Sequence, residues 1–168
     1  MSAINPMDEG PVDAVPSTAA IHGHPIHPMI IPFPIAFLMG ALVTDIIFLV
    51  QGDDFWASCS YWLLFAGVAM GLVAAVFGIA DFFGNVRVRN LTVAKLHFAG
   101  NAAALTMAAI NVALRIDDVT ARVAGEGVWL SVAVAVVLVG TGWLGGELAY
   151  RKRVGVIPQA GVGRRHGS

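Results

Sequence analysis

Residues 60–82 read SYWLLFAGVAMGLVAAVFGIADF, and Asp81 is the one charged residue among these 23. As helix the stretch covers about 35 Å at 1.5 Å per residue, enough to cross a hydrocarbon core of ~30 Å. It has no apolar–polar alternation, so a barrel strand is excluded. Three more runs share its character: Met29–Val50, Leu96–Leu114 and Val128–Ala149, so that all four are 19 to 23 residues long. Inside them the charges are Asp45, Asp81 and Glu147. Only helices and closed barrels satisfy their backbone in lipid. The sequence therefore predicts an all-α, polytopic membrane protein, a bundle of four transmembrane helices with short loops.

The rest of the 168-residue chain agrees. Hydrophobic residues are 57% of it and charged residues 12%, against about 25% charged in soluble domains. Mean hydropathy is +0.76. A soluble globular enzyme lacks its polar shell here. The net charge of −1 offers no basic field for nucleic acid. One cysteine, Cys59, excludes a cysteine-ligated iron–sulfur cluster, a thiolate zinc site, an intrachain disulfide and haem attachment through Cys-x-x-Cys-His. The match of Gly140–Gly145 to G-x-G-x-x-G lies inside a membrane run, where no strand precedes it, so it is not a dinucleotide fingerprint.

Three segments follow. Residues 1–20, polar, acidic and proline-containing, are expected to be a disordered tail. They hold no Lys or Arg, and the first apolar run is too long for a signal-peptide core, so no cleavable leader is expected. Residues 21–156 form the membrane domain, and the Gly-rich residues 157–168 a flexible tail. Lys and Arg set the orientation. The side of the termini and the second loop carries eight, the other side Arg115 and Arg122. Both termini are expected in the cytoplasm, the chain lying in a bacterial inner membrane. Trp56, Tyr61, Trp62 and Trp129 should form an outer aromatic belt. Small residues at Gly67-xxx-Gly71, Ala74-xxx-Gly78, Gly142-xxx-Gly146 and Ala104/Ala108 are expected to mark the helix seams.

Polar residues that stand against this background are the candidate site. His22, His24 and His27 lie within six residues before the first run, among Pro25, Pro28, Pro32 and Pro34. Regular helix should begin near Pro32. The apolar neighbours Ile26, Met29, Ile30 and Ile31 should pack this segment on the bundle or at its interface, as an anchor or as a ligand-bearing stretch. In the third run His97, Asn101, Ala104, Ala108, Asn111 and Arg115 are spaced 4, 3, 4, 3, 4 and share one face. Polar groups in membrane helices turn inward and find partners. The stripe either fixes register by hydrogen bonds or presents His97 as a ligand or proton carrier, with Asn101 beside it.

The first and third runs point the same way. His27 precedes Asp45, and His97 precedes Arg115, by 18 residues each, about 27 Å of helix. The histidines should share one depth, and Asp45 and Arg115 another, where they are expected to pair. With Asp81 and Glu147 ending the other two runs, a diverged two-helix repeat is indicated. Glu147 and Arg151 stand at i, i+4 and either close the end as a salt bridge or lend Glu147 to the histidines.

The stretches HGHPIHPMIIPFPIAFLMGALVTDI, WLLFAGVAMGLVAAVFGIADF, KLHFAGN and GWLGGELAYRKRVGV together resemble a bacterial family of predicted membrane proteins, domain of unknown function 2231, over about residues 21–156. Lys152 stands where the family pattern would have a histidine. The resemblance brings no established activity. Relatives joined to Rieske or cytochrome c domains imply a respiratory, electron-transfer setting.

Four functions remain. A non-covalent b-type haem needs two axial histidines from different helices. His24 or His27 could supply one and His97 the other, with Arg87, Arg89 and Arg151 near the propionates. A transition-metal ion could be bound or passed by His22, His24, His27, His97, Asp81 and Glu147, though their spacing matches no zinc motif. The others are a non-catalytic membrane subunit or assembly factor, and ion or proton transport. No serine or cysteine nucleophile lies near the histidines in sequence, which speaks against a hydrolase. Expected partners are membrane lipid and redox proteins, with self-association left open.

Overall fold

The computed structural model describes residues 15–22 and 24–156. Helices α1 (Ile26–Ile30) and α2 (Pro32–Gln51) form the first span. Asp54–Gly84 is α3 and Val86–Asn90 is α4; α5 covers Thr92–Leu114. After α6 (Val119–Arg122) the chain kinks at Gly125 (φ −95°, ψ −119°) before α7 (Val128–Gly146), and a wider helical turn, Glu147–Arg151, closes the last span. Four helical segments are long and apolar enough to cross a membrane: Ile26–Gln51, Asp54–Gly84, Thr92–Leu114 and Val119–Arg151. The protein is an all-α polytopic bundle.

Each span overshoots its apolar run for a local reason. Asp53 caps α3, its side chain accepting from the Phe55 N–H at 3.0 Å, so helix starts in the acidic loop. Asp118 caps α6, accepting from the Ala121 N–H at 2.9 Å; that bond holds its carboxyl below the usual aspartate range. Helix also starts before Pro32. Pro28 falls in the first turn of α1, where N–H groups have no intrahelical partner.

Around the bundle, α2 packs on α3 and α7, and α5 packs on the same two. Leu38, Ala41, Leu64, Ala104, Ala108, Val134 and Leu138 make the central core. Glycines set the approach of α2 to α3: a Cβ on Gly67 would lie 2.7 Å from the Leu38 side chain. The expected seam at Gly142-xxx-Gly146 is not used inside the bundle. Nothing lies within 4 Å of a Cβ on Gly142, and only Tyr150 of the same helical segment approaches one on Gly146. Thr141 and Gly145 take the inward positions instead. Of the expected aromatic belt Trp62 and Trp129 are exposed, whereas Tyr61 is half-buried and Trp56 packs beside Phe48 and Val123 and donates to Gln51.

The tail expected over residues 1–20 is ordered in its last part. Val15 is 2% exposed and packs with Val88, Leu91 and Ala94. Its N–H donates to the Arg153 carbonyl at 3.1 Å, and its own carbonyl accepts from Gly155 at 2.8 Å. Ala20–Ile21 then pairs antiparallel with His24–Pro25. Residues 15–21 thus form a strap across the end of the bundle that carries both termini. Residues 1–14 and 157–168 lie outside the described residues.

Candidate functional site

Two polar constellations lie one above the other. In the half away from the termini, Arg115 donates to Asp45 bidentately, Nη1 to Oδ1 at 2.9 Å and Nη2 to Oδ2 at 2.9 Å. Both side chains are fully buried. The remaining carboxylate lone pairs are met from two other helices, and the remaining guanidinium donors from those helices and from Asn111 on the same one. The Ser60 hydroxyl of α3 donates to Asp45 Oδ1, and the Ser131 hydroxyl of α7 donates to Oδ2 at 2.6 Å. Asn111 Oδ1 accepts from Arg115 Nε at 3.0 Å, and its amide donates to the Gly127 carbonyl at 3.0 Å. All four spans are tied into one network, which is what a buried ion pair needs to offset its desolvation. Gly127 leaves the room: a Cβ there would lie 3.2 Å from Arg115 Nε and 2.6 Å from the Arg122 carbonyl.

Nearer the termini sit His27 and His97. The His27 Nδ1 is 2.9 Å from the Ala74 carbonyl, and its ring lies over Gly78, where a Cβ would come within 3.1 Å of Cε1. The His97 Nδ1 is 2.9 Å from the Thr141 carbonyl, and a Cβ on Gly145 would come within 3.0 Å of its Cε1. Each imidazole is therefore held by a carbonyl four residues before a glycine. With a carbonyl as the only acceptor, Nδ1 must carry the proton, which leaves the Nε2 lone pair for a ligand role. The Asn101 amide nitrogen is 3.4 Å from His97 Nδ1 and 3.3 Å from Nε2. An atom so nearly equidistant from both lies off either lone-pair axis. That amide is held by the His97 carbonyl at 2.8 Å.

These seats make the repeat visible. An offset of 70 residues takes His27 to His97 and Asp45 to Arg115, and an offset of 67 takes Ala74 to Thr141 and Gly78 to Gly145. The same offsets relate Ala41 to Asn111 and Ser60 to Gly127. In one half the Ser60 hydroxyl, whose proton goes to Asp45, lies 3.1 Å from the Ala41 carbonyl; in the other the Asn111 amide donates to the Gly127 carbonyl. Each hairpin thus has a polar side chain of one helix against a carbonyl of the other at matching positions.

The other sequence candidates lie elsewhere. His22 (φ 49°) and His24 are exposed in the turn before α1, with His24 Nδ1 3.2 Å from the His22 carbonyl. Asp81 is taken by the strap: its Oδ1 accepts from Ser17 Oγ at 2.7 Å, Thr18 N at 2.7 Å and Ala19 N at 2.9 Å. Glu147 is 7% exposed and pairs with Arg151 at 3.3 Å. Arg87 and Arg89 are exposed on α4, and Arg151 is 68% exposed. Among the described residues no three His, Cys, Asp or Glu side chains come together as a metal-ion site, so the six-residue donor set expected from sequence is not assembled. Sequence reasoning missed Ser60 and Ser131, whose signal was a lone hydroxyl in an apolar run. It read Ala74-xxx-Gly78 as helix packing, whereas this pair seats His27.

The fold and its intramembrane polar groups define an integral membrane protein of four helical spans with extensive lipid contact. The profile of DUF2231, described as a predicted membrane protein, matches residues 23–158, and the chain belongs to that family. No curated protein matches it, and no solved structure does.

Proposed function

We propose that the chain is the membrane subunit of a bacterial electron-transfer system and holds a b-type haem between His27 and His97. The observation that carries this reading is the matched pair of imidazoles on different spans, each with Nδ1 on a backbone carbonyl, while among the described residues Nε2 meets at most the off-axis Asn101 amide, 3.3 Å from His97 Nε2. His27 and His97 would hold a haem from two different spans, whereas a closed zinc site needs four ligands. The glycines under the rings let each imidazole lie close against the neighbouring helix, which fixes its orientation. When bound, the haem supplies one-electron chemistry. The chain's part is to fix both ring orientations through Ala74 and Thr141 and to keep that region tied to the rigid Asp45–Arg115 network. The eight-to-two asymmetry of Lys and Arg supports a cytoplasmic location for both termini and the histidine end, where a redox partner protein would dock.

The test is the visible spectrum of detergent-purified protein from haem-replete cells, oxidised and dithionite-reduced, with haem quantified per chain. One haem is expected, lost in both His27→Ala and His97→Ala and retained in His22→Ala and His24→Ala. A protein that remains colourless after incubation with haemin overturns the reading and leaves a non-catalytic membrane scaffold, which the four-helix ion-pair network would serve equally well.

A further inference from the structure

The last span carries a groove on its outward face, lined by Gly142, Trp143, Gly146, Glu147, Tyr150 and Arg151, with a volume of about 620 Å³. Its floor is bare, because Gly142 has no neighbour for a Cβ within 4 Å and Gly146 has only the Tyr150 ring at 3.9 Å. Its walls are aromatic: Trp143 is 72% and Tyr150 87% exposed. The Trp143 indole N–H and the Tyr150 hydroxyl have no hydrogen-bond partner among the described residues. In an apolar surrounding both need an acceptor from outside the chain.

At the end of the groove stands Arg151. It gives only Nη1 to Glu147, at 3.3 and 3.4 Å, so most of its five donors face outward. From Gly142 to Arg151 is about 13 Å along the helix, the span from upper acyl chain to headgroup. Glu147 offsets part of the guanidinium charge, and Arg153, exposed just beyond, adds a second cation.

We propose that this groove binds one anionic diacyl phospholipid, its phosphate on Arg151, its ester carbonyls within reach of the aromatic polar groups and an acyl chain on the glycine floor. A second copy of the chain fits less well. Close helix crossing at paired glycines needs a bare seam, and Trp143 and Tyr150 project from this one. The site is independent of the histidine pair.

The test reconstitutes purified full-length protein in nanodiscs of equal phosphatidylglycerol and phosphatidylcholine and counts retained lipid by native mass spectrometry. The wild type should retain one lipid, preferring phosphatidylglycerol by roughly fivefold, the bias one interfacial cation supplies. Arg151→Gln should reduce that preference to what Arg153 alone supplies, the double change Arg151→Gln with Arg153→Gln should bring it to unity, and Arg151→Lys should restore it. Gly146→Leu should lose the retained lipid of either class while helicity and melting stay unchanged. Should Arg151→Gln fail to fold, Gly146→Leu and Tyr150→Leu carry the test. Equal retention of both lipids by the wild type, or undiminished retention by Gly146→Leu, overturns the proposal. So does a dimer that Gly146→Leu converts to monomer. Displacement of the lipid by millimolar inorganic phosphate would show a plain anion site and overturn it as well.

Discussion

The ion pair between Asp45 and Arg115 lends itself to a double-mutant cycle. Arg115→Gln leaves the Asp45 carboxylate at 0% exposure with two hydroxyl donors, Ser60 and Ser131, in place of four contacts. Asp45→Asn leaves a guanidinium facing Asn111 and the same two serines. Removing one member of a buried pair costs about 3–5 kcal/mol, and a lone charge at mid-depth in a membrane about 2.5–3.5 kcal/mol on insertion scales. The two figures describe the same stranded charge and are not summed. Each single variant should therefore lose about 3–4 kcal/mol. The double variant strands no charge, since Asn and Gln can still bond to the serines and to each other. It should cost roughly 2–3 kcal/mol less than the singles combined. Unfolding in mixed detergent–SDS micelles, followed by far-UV circular dichroism, reads all four proteins. Additivity within ~0.5 kcal/mol would refute the claim that these charges stabilise one another, whatever the distances.

The histidine seats predict a steric effect: Gly78→Val or Gly145→Val should push the ring off its carbonyl and cost about 1–3 kcal/mol, read as a lower melting temperature and, if haem is bound, an altered Soret band. Gly127→Ala should destabilise on the same scale, because its Cβ meets the Arg122 backbone carbonyl at 2.6 Å; a neutral result in the micelle assay would contradict the packing. Asp81→Asn should free the strap. Charged hydrogen bonds contribute about 1.5–3 kcal/mol each, so exchange at the Thr18 and Ala19 amides should accelerate by roughly tenfold or more, with amides of α3 around Leu64 unchanged as the control.

The bundle was legible because lipid leaves few options for a chain of this composition. Four long apolar runs must be helices, and matched spacing from His27 to Asp45 and from His97 to Arg115 put like groups at like depth. The structure joins Asp45 to Arg115 and places Glu147 against Arg151. Other features left little trace. Ser60 and Ser131 matter through their rotation about the helix axis, which hydropathy does not encode. The strap contains no apolar run, and its order comes from distant partners: the pocket that takes Val15, the backbone of Arg153 and Gly155, and Asp81, an acceptor that sequence reasoning had offered to a metal. Three nearby histidines looked like one cluster, but the backbone turn at His22 leaves two of them outside and only His27 seated.

The exchange of charge between related positions has a consequence for assembly. If the two hairpins descend from one, an ancestral pair of identical hairpins would have brought the same residue to the centre twice. With Asp45 in one and Arg115 in the other, either hairpin meeting its own kind would bury two like charges. The chain thus carries a rule of complementarity: its halves accept each other and reject themselves. Cut between Gly84 and Thr92 and made as separate polypeptides, each half should pair with the other and not with a second copy of itself.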